Sequence, residues 1–494
     1  MNNWLPTFGR FAGPLAFFLL YYLVDTPGLA PEGKLMLGLT LWMAIWWITE
    51  AVPIAGTALL PLMVLPLAGV LNLKQVSNNY MDPTVLLYMG GFLLATSIEK
   101  WNLHKRIALN IINLLGTDLR RIVLGFMLAT GFLSMWISNS ATALMMLPIG
   151  LAVIGQFKHH LGDENGILST NLAKNILLGI AYAASIGGMA TLIGTPTNNV
   201  LRAVVEKLYS FTIDFNEWML FALPFSMVLL AIAWFYLVNF GNPLPKKFNL
   251  TEAKSVIQDQ LVSLGKITYE EKSVLTVFGL VCFCWITRSF LITPYIPALD
   301  DTIIALLGVI LLLLLPSSGK NGEKGRILDW NTAEQIPWGV LILFGGGLAL
   351  AEGFKETGLA DWIGQHLSLI DGVSFFVLLL IIVAAVNFLT EVTSNVATAS
   401  MLLPILASVA IKLDVHPFGL MVGATLAASC AFMLPVATPP NAVVFGPGYL
   451  KIKDMVKAGL WLNIISIILL TLMVYFILPW VWKIDLQAYP FEGF

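Results

Sequence analysis

Charge is what this chain has least of. Only 11% of its 494 residues are Asp, Glu, Lys or Arg, while 58% are hydrophobic and the mean hydropathy is +0.83. Soluble domains carry about a quarter charged residues, so a soluble or disordered protein is excluded and a polytopic membrane protein is left. No basic run resembles a nucleic-acid footprint, and the formal net charge is −2. Cysteine is almost absent. Cys282 and Cys284 sit two apart, on different faces of any helix, and with Cys430 they read as small core fillers, without a disulfide or metal role. The five histidines (His104, His159, His160, His366, His416) are expected in polar connections, with no ligand pair on one helix face. The glycine runs Gly90-Gly91 and Gly345-Gly346-Gly347 lack the Lys-Ser/Thr of a nucleotide loop and read as close-packing residues.

What is present is duplication. MWISNSATALMMLPI (135–149) recurs as EVTSNVATASMLLPI (391–405), nine of fifteen positions being identical, 256 residues further on. Tyr88-Met89-Gly90-Gly91 and Phe344-Gly345-Gly346-Gly347 share that offset. AASIGGMATLIGTPTNNV (183–200) matches AASCAFMLPVATPPNAV (427–443), one residue shorter. The polar pairs Ser138-Asn139 and Ser394-Asn395 lie within apolar stretches, where bare polar groups are costly and so mark a function.

Apolar runs long enough for a bilayer are read at 11–24, 35–50, 52–71, 83–98, 175–200, 219–240, 274–294, 300–316, 337–351, 417–446 and 458–482. The first reads as a retained helix, since no small-residue cleavage pattern follows it. The stretches 122–156 and 374–411, interrupted at their Ser-Asn pairs, are expected to be re-entrant helical hairpins, allowed only where the tip lines a protein or water cavity. Segments 99–121 and 352–371 read as interfacial helices. The expected fold is an all-α polytopic membrane protein with about 11 transmembrane helices plus two re-entrant hairpins. With the N-terminus inside and the C-terminus outside, Lys and Arg divide 19 inside to 8 outside, as the positive-inside rule requires. The aligned helices then run in opposite directions, which makes the duplication an inverted-topology repeat. The expected divisions are residues 1–34 (N-terminal helix), 35–240 (first repeat, with a helix broken within 175–200), 241–273 (cytoplasmic linker) and 274–494 (second repeat, with a helix broken within 417–446).

Gly194-Thr195-Pro196-Thr197-Asn198 matches Ala437-Thr438-Pro439-Pro440-Asn441. Proline removes a backbone donor and frees carbonyls on the preceding turn, so each span is expected to be two half-helices. Two tips and two breaks then converge. Their carbonyls with Ser, Thr and Asn oxygens suit a small hard cation such as Na⁺, while half-helix N-termini suit carboxylates. Two such cradles imply a substrate with two acidic ends. No Arg or Lys lies beside the motifs, so a bound dianion needs co-bound cations. No His or Lys stands where it could activate Ser138 or Ser394, which argues against an intramembrane hydrolase.

The SNS/SNV tips, the GTPTN and ATPPN breaks and their order resemble the divalent anion:sodium symporter family of INDY-like dicarboxylate transporters, with citrate and sulfate relatives. The resemblance covers nearly the whole chain from the second helix onward. It implies one sodium site at Ser134, Ser138, Asn139 and Gly194 and another at Thr390, Ser394, Asn395 and Ala437. It assigns substrate carboxylates to Asn139 and Ser140 on one side, and to Asn395 with Thr438 and Pro439 on the other. Thr195, Pro196 and Val396 complete the expected substrate set. It also implies homodimers in the cytoplasmic (inner) membrane, a scaffold domain and an elevator-like transport domain. The family tip reads Ser-Asn-Thr; Ser140 keeps the hydroxyl and Val396 does not. The expected function is sodium-coupled import of a small dicarboxylate such as succinate; sodium-independent exchange, or symport of citrate or sulfate, are the alternatives. Glu391, matched by Met135, reads as a cavity-facing or interfacial group outside the symmetric core.

Overall fold

The computed structural model describes residues 4–116, 118–160, 167–246, 251–318, 325–366 and 372–491. Apart from a two-residue strand pair, Pro316–Ser317 with Gly325–Arg326, the described elements are helical. Eight helical stretches among the described residues are long and apolar enough to cross a membrane, and four shorter apolar ones accompany them.

The chain begins with α1 (Trp4–Leu23) and α2 (Pro31–Thr49), which pack together. Glu50 ends α2 in the left-handed region (φ 48°), as a turn residue does. The expected span at 52–71 is a correction. It folds as the short α3 (Ile54–Thr57) and α4 (Leu60–Leu67), parted just before Pro61 in the first turn of α4, which has no N–H to give the Thr57 carbonyl and crowds it; Pro53 precedes α3 and Pro66 lies inside α4. Next come α5 (Leu73–Tyr80), α6 (Pro83–Lys100) and the amphipathic α7 (Leu103–Leu115), whose buried face is Leu103, His104, Ala108, Leu109 and Ile112.

Each interrupted stretch folds as two helices joined by a short non-helical tip, α8 (Leu119–Ser134) with α9 (Asn139–His160), and later α19 (Phe375–Leu389) with α20 (Asn395–Lys412). Both broken spans are present too. The first is α10 (Ile167–Gly188) followed by α11 (Pro196–Tyr209), and the second α21 (Pro417–Ser429) followed by α22 (Pro439–Phe445). Pro196 and Pro439 stand at the first helical position, where a missing N–H costs nothing, after Thr195 and Thr438 in extended conformation. After α11 come α12 (Phe215–Tyr236) and α13 (Thr251–Ser263), then α14 (Tyr269–Thr287), α15 (Asp301–Leu314), α16 (Trp330–Ala333), α17 (Trp338–Glu356) and α18 (Leu359–His366). The chain closes with α23 (Ile452–Phe476) and α24 (Leu478–Trp482).

The interrupted stretches and broken helices pack on one another, α8 and α9 on α10, α19 and α20 on α21, and α19 on α23. A second set packs α6 on α15, α14 on α15, and α17 on α2, α3, α4 and α5, and it is joined to the first where α17 packs on α11 and α20 and α18 packs on α20. The glycine runs are tight contacts: a Cβ on Gly90 would lie 2.8 Å from Ala305 Cβ, and one on Gly346 would lie 2.6 Å from Ala58 O. Two histidines are not the solvated connection residues expected. His104 is buried with Nδ1 3.0 Å from Ile98 O, and His416 caps α21 by accepting the Phe418 N–H at 3.3 Å. Burial pushes both imidazoles down to about 4. The side chains of His159, His160 and His366, and the tallied Lys247, Lys320 and Lys324, lie outside the described residues.

Candidate functional site: two hairpin tips and two broken helices

In the first hairpin α8 ends at Ser134 and α9 starts five residues later, with the Ser138 hydroxyl accepting the Ala141 N–H at 3.3 Å as an N-cap. Ser134 Oγ, wholly buried, lies 2.6 Å from the Asn139 amide and 2.7 Å from Ala184 O on α10. The same terminal position of the Asn139 amide is 3.0 Å from Ala184 O and 3.3 Å from Gly194 O. Both carbonyls are pure acceptors. Either the amide NH₂ points at them, or its oxygen does and oxygens alone face one another, an arrangement only a cation can hold together. The cradle tolerates no side chain, since a Cβ on Gly188 would fall 2.2 Å from Asn139 Oδ1 and one on Gly194 would fall 2.4 Å from Gly188 O.

The second hairpin repeats this geometry. Thr390 Oγ1, also buried, lies 2.8 Å from both Asn395 Oδ1 and Ala428 O. Thr390 and Asn395 are five residues apart, as Ser134 and Asn139 are, and Ala428 aligns with Ala184. The loops between half-helices are tied alike. Asn198 Nδ2 donates to Met189 O (3.1 Å) and Thr191 O (2.8 Å), and Asn441 Nδ2 to Ala431 O (3.2 Å) and Leu434 O (3.0 Å). In both, the side-chain oxygen is buried without a hydrogen-bond partner. The motif contained these asparagines, but their strapping role needs the loop's shape to be seen.

The two repeats interlock. α22 of the second packs on α9 and α10 of the first, and α11 of the first packs on α20 and α21 of the second. Thr197 Oγ1 and Ser429 Oγ meet across this boundary at 2.7 Å. Ser138, Asn139, Ser140, Ser394, Asn395, Val396 and Pro196 are half-buried, and Pro439 is exposed. Gly194, Thr195, Ala437 and Thr438 are buried in the loops behind them. Thr142 Oγ1 is buried without a partner, whereas Thr398 Oγ1 meets Thr393 Oγ1 at 2.7 Å.

Glu391 departs from the sequence reading. It is neither cavity-facing nor interfacial but 4% exposed, and it accepts the N–H groups of Phe432, Met433 and Leu434 at 2.8, 2.9 and 3.1 Å.

Access differs between the two ends of α6. Near its Lys100 end a cavity of about 680 Å³ runs between α7, α9 and α13, and reaches Ile137 and Ala141 beside the first tip. Near its Pro83 end four charged residues cluster, and Arg202, Asp214 and Arg288 among them line a second cavity of about 350 Å³. Arg202 on α11 pairs with Asp301 on α15 at 3.3 Å, and Arg288, just after α14, pairs with Asp301 at 2.9 Å and with Asp214 before α12.

Residues 7–484 match the family described as the sodium:sulfate symporter transmembrane region. The chain belongs to this symporter family. Among curated relatives, the sodium-dependent dicarboxylate transporter SdcS of Staphylococcus saprophyticus subsp. saprophyticus is 48% identical over 490 residues, 98% of this chain and 94% of that protein. Its namesake from Staphylococcus aureus is 47% identical over 97% of this chain and 92% of that one. Two solved structures share the fold. One is Neisseria gonorrhoeae MtrF, reported among antimetabolite efflux pumps, with TM-score 0.57 at 12% identity over 98% of this chain and 100% of that one. The other is the Alcanivorax borkumensis YdaH transporter, with TM-score 0.56 at 13% identity over 90% and 99%. As a symporter-family member the chain is an integral membrane transporter and not an enzyme.

Proposed function

We propose that the protein is a sodium-coupled symporter that imports a small dicarboxylate, four carbons long as succinate is. The observation that carries this is the doubled oxygen cradle: Ser134, Asn139, Ala184 and Gly194 in one repeat, and Thr390, Asn395 and Ala428 in the other. Neutral hydroxyl, amide and carbonyl oxygens converging in this way suit Na⁺, a hard cation. The two relatives named sodium-dependent dicarboxylate transporters support both ion and substrate.

In this reading one Na⁺ sits among Ser134, Ser138, Asn139 and Gly194, and another among Thr390, Ser394, Asn395 and Ala437. Before sodium arrives the Asn139 NH₂ satisfies the carbonyls; when sodium binds, the amide turns its oxygen inward. The substrate lies against the half-buried faces of Asn139, Ser140, Asn395 and Val396, with the N-terminal turns at Thr195-Pro196 and Thr438-Pro439 offering N–H groups and positive dipole ends to its carboxylates. No lysine or arginine adjoins these motifs. Sodium therefore supplies the countercharge, and without it a dianion in the pocket is strongly disfavoured.

The repeats span 35–240 and 274–494 in inverted topology, with 1–34 an added helix and 241–273 a cytoplasmic linker. The N-terminus is inside and the C-terminus outside the cytoplasmic membrane. The hairpin and broken-helix group moves as an elevator against a scaffold that carries a homodimer interface. With Lys100 and Lys105 inside, the 680 Å³ cavity is the cytoplasmic access route, and the ion pairs around Asp301 stand beside the smaller cavity of about 350 Å³ on the outer side.

The test is uptake of labelled succinate into proteoliposomes. Uptake should follow an inward sodium gradient and vanish when potassium replaces sodium. Equal uptake without sodium, driven by internal dicarboxylate, would overturn the reading in favour of an exchanger.

A further inference from the structure

Glu391 is the one carboxylate built into the tip-and-loop region, and the duplication gives it no counterpart. Its first-repeat equivalent is Met135. Four donors converge on it. Oε1 accepts Phe432 N–H (2.8 Å), Met433 N–H (2.9 Å) and Asn463 Nδ2 (2.7 Å), and Oε2 accepts Leu434 N–H (3.1 Å). Three successive backbone donors directed at one anion form a nest, and here the anion comes from the protein itself. α23 delivers the fourth donor at close range, because Gly459, one turn before Asn463, lies where a Cβ would stand 2.2 Å from Phe432 O.

The carbonyl side of the same segment is held separately. Asn387 Nδ2 takes Cys430 O at 3.0 Å, Thr390 Oγ1 takes Ala428 O at 2.8 Å, and Asn441 Nδ2 takes Ala431 O and Leu434 O. The first repeat solves this problem locally. Ala190 N–H closes on Gly187 O at 3.0 Å, Gly194 N–H on Thr191 O at 3.4 Å, and Thr191 Oγ1 donates to Met135 O at 2.5 Å. The second loop keeps the counterpart of the Gly194 bond, Ala437 N–H to Leu434 O at 3.2 Å, and in addition gives three successive N–H groups to the Glu391 carboxylate, which the first loop has no equivalent for.

We propose that Glu391 is the positioning residue of the second ion cradle: by fixing the N–H groups of Phe432, Met433 and Leu434 it holds the unwound loop so that cation binding at the Thr390–Asn395 tip depends on it. This rests on the sodium-symport reading above. The chemistry selects a carboxylate, because four donors need an acceptor-only group with two oxygens. A glutamine keeps one oxygen for three of them and sets an NH₂ against the Leu434 N–H. A methionine satisfies none and leaves buried donors unpaired.

The experiment compares Glu391→Gln and Glu391→Met with the parent protein in proteoliposomes, titrating sodium at saturating succinate and succinate at saturating sodium. Glu391→Gln is expected to raise the sodium half-saturation at least tenfold while keeping the maximal rate and the succinate KM at saturating sodium. Glu391→Met, purified as a monodisperse protein with a measurable Tm, is expected to show no uptake up to several hundred millimolar sodium. An unchanged sodium curve in Glu391→Gln, or a fall in its maximal rate and Tm with no sodium shift, overturns the proposal. Sodium-independent uptake by the parent protein would instead refute the symport reading itself, so the two failures are told apart within one data set.

Discussion

Replacing Gly188 by alanine adds one methyl group at the most crowded point of the oxygen cradle around Asn139, the first sodium site in the proposed reading. The new Cβ would stand 2.2 Å from Asn139 Oδ1 and 3.0 Å from the amide carbon and nitrogen, where ordinary contact begins at 3.4 Å. The amide must therefore retreat by about 1.2 Å, or α10 must shift away from α9. Retreat is easier, because Asn139 heads α9 and is half-buried while Gly188 is wholly buried. A ligand displaced that far no longer coordinates. A polar contact to a charged group is worth about 1.5–3 kcal/mol, and 1.4 kcal/mol is a factor of ten, so the sodium half-saturation should rise about 10- to 150-fold. Because Asn139 also faces the substrate in this reading, the succinate KM should rise as well, while the second tip is untouched. The assay is succinate uptake at graded sodium, with Tm followed to show that the fold persists. A parental sodium curve from a well-folded Gly188→Ala protein would refute the placement of sodium against Asn139. Phe432 at the equivalent second-repeat position is no counterexample, because its N–H is drawn onto Glu391.

Asn139→Ala and Asn395→Ala should each reduce sodium-driven uptake to background, since each amide is asked to serve ion and substrate; near-normal uptake in either would remove that residue from the site. Val396→Thr restores a hydroxyl at the second tip and should change the ranking of succinate against longer or bulkier diacids in competition assays; an unchanged ranking would show that position 396 does not touch substrate. Asp301→Ala strands the buried Arg202 and leaves Arg288 with Asp214 alone, and it should lower stability by about 3–5 kcal/mol, read as a loss of Tm in detergent; Tm within a degree of parent would count against a stabilising ion cluster. His416 must stay neutral to accept the Phe418 N–H, and its pKa is about 4 against about 6.5 when unfolded. The unfolded chain therefore takes the proton first, so stability is full above pH 6.5 and falls between 6.5 and 4, by at most about 3 kcal/mol per such histidine. His416→Asn should flatten part of that limb in pH-dependent melts, and His104 should supply the rest.

Much of this was legible in the chain because duplication prints each functional element twice. Ser138-Asn139 and Ser394-Asn395, Pro196 and Pro439 stood out as polar or helix-breaking residues in apolar runs, and backbone needs explain each of them. Proline also misled, as in 52–71, where hydropathy reads a span and the chain parts just before Pro61 into two short helices. The backbone ligand candidate Ala184 O and its counterpart Ala428 O were invisible, because a carbonyl has no sequence signature. Glu391 was visible but misread. Its partners are backbone N–H groups 41 to 43 residues away and Asn463 on α23, and no local pattern connects them. The orphaned Asn198 and Asn441 oxygens likewise depend on loop shape, which composition does not encode.

The exchange of half-helices between the two copies, α22 resting on α9 and α11 on α20, bears on how such a molecule is made. Neither copy is a smaller edition of the whole, because each owns one cup and borrows the wall that closes it. A ribosome that has delivered only the first copy leaves α9 without its neighbour, so this tip must wait in the lipid, unfinished, until the last quarter of the chain arrives.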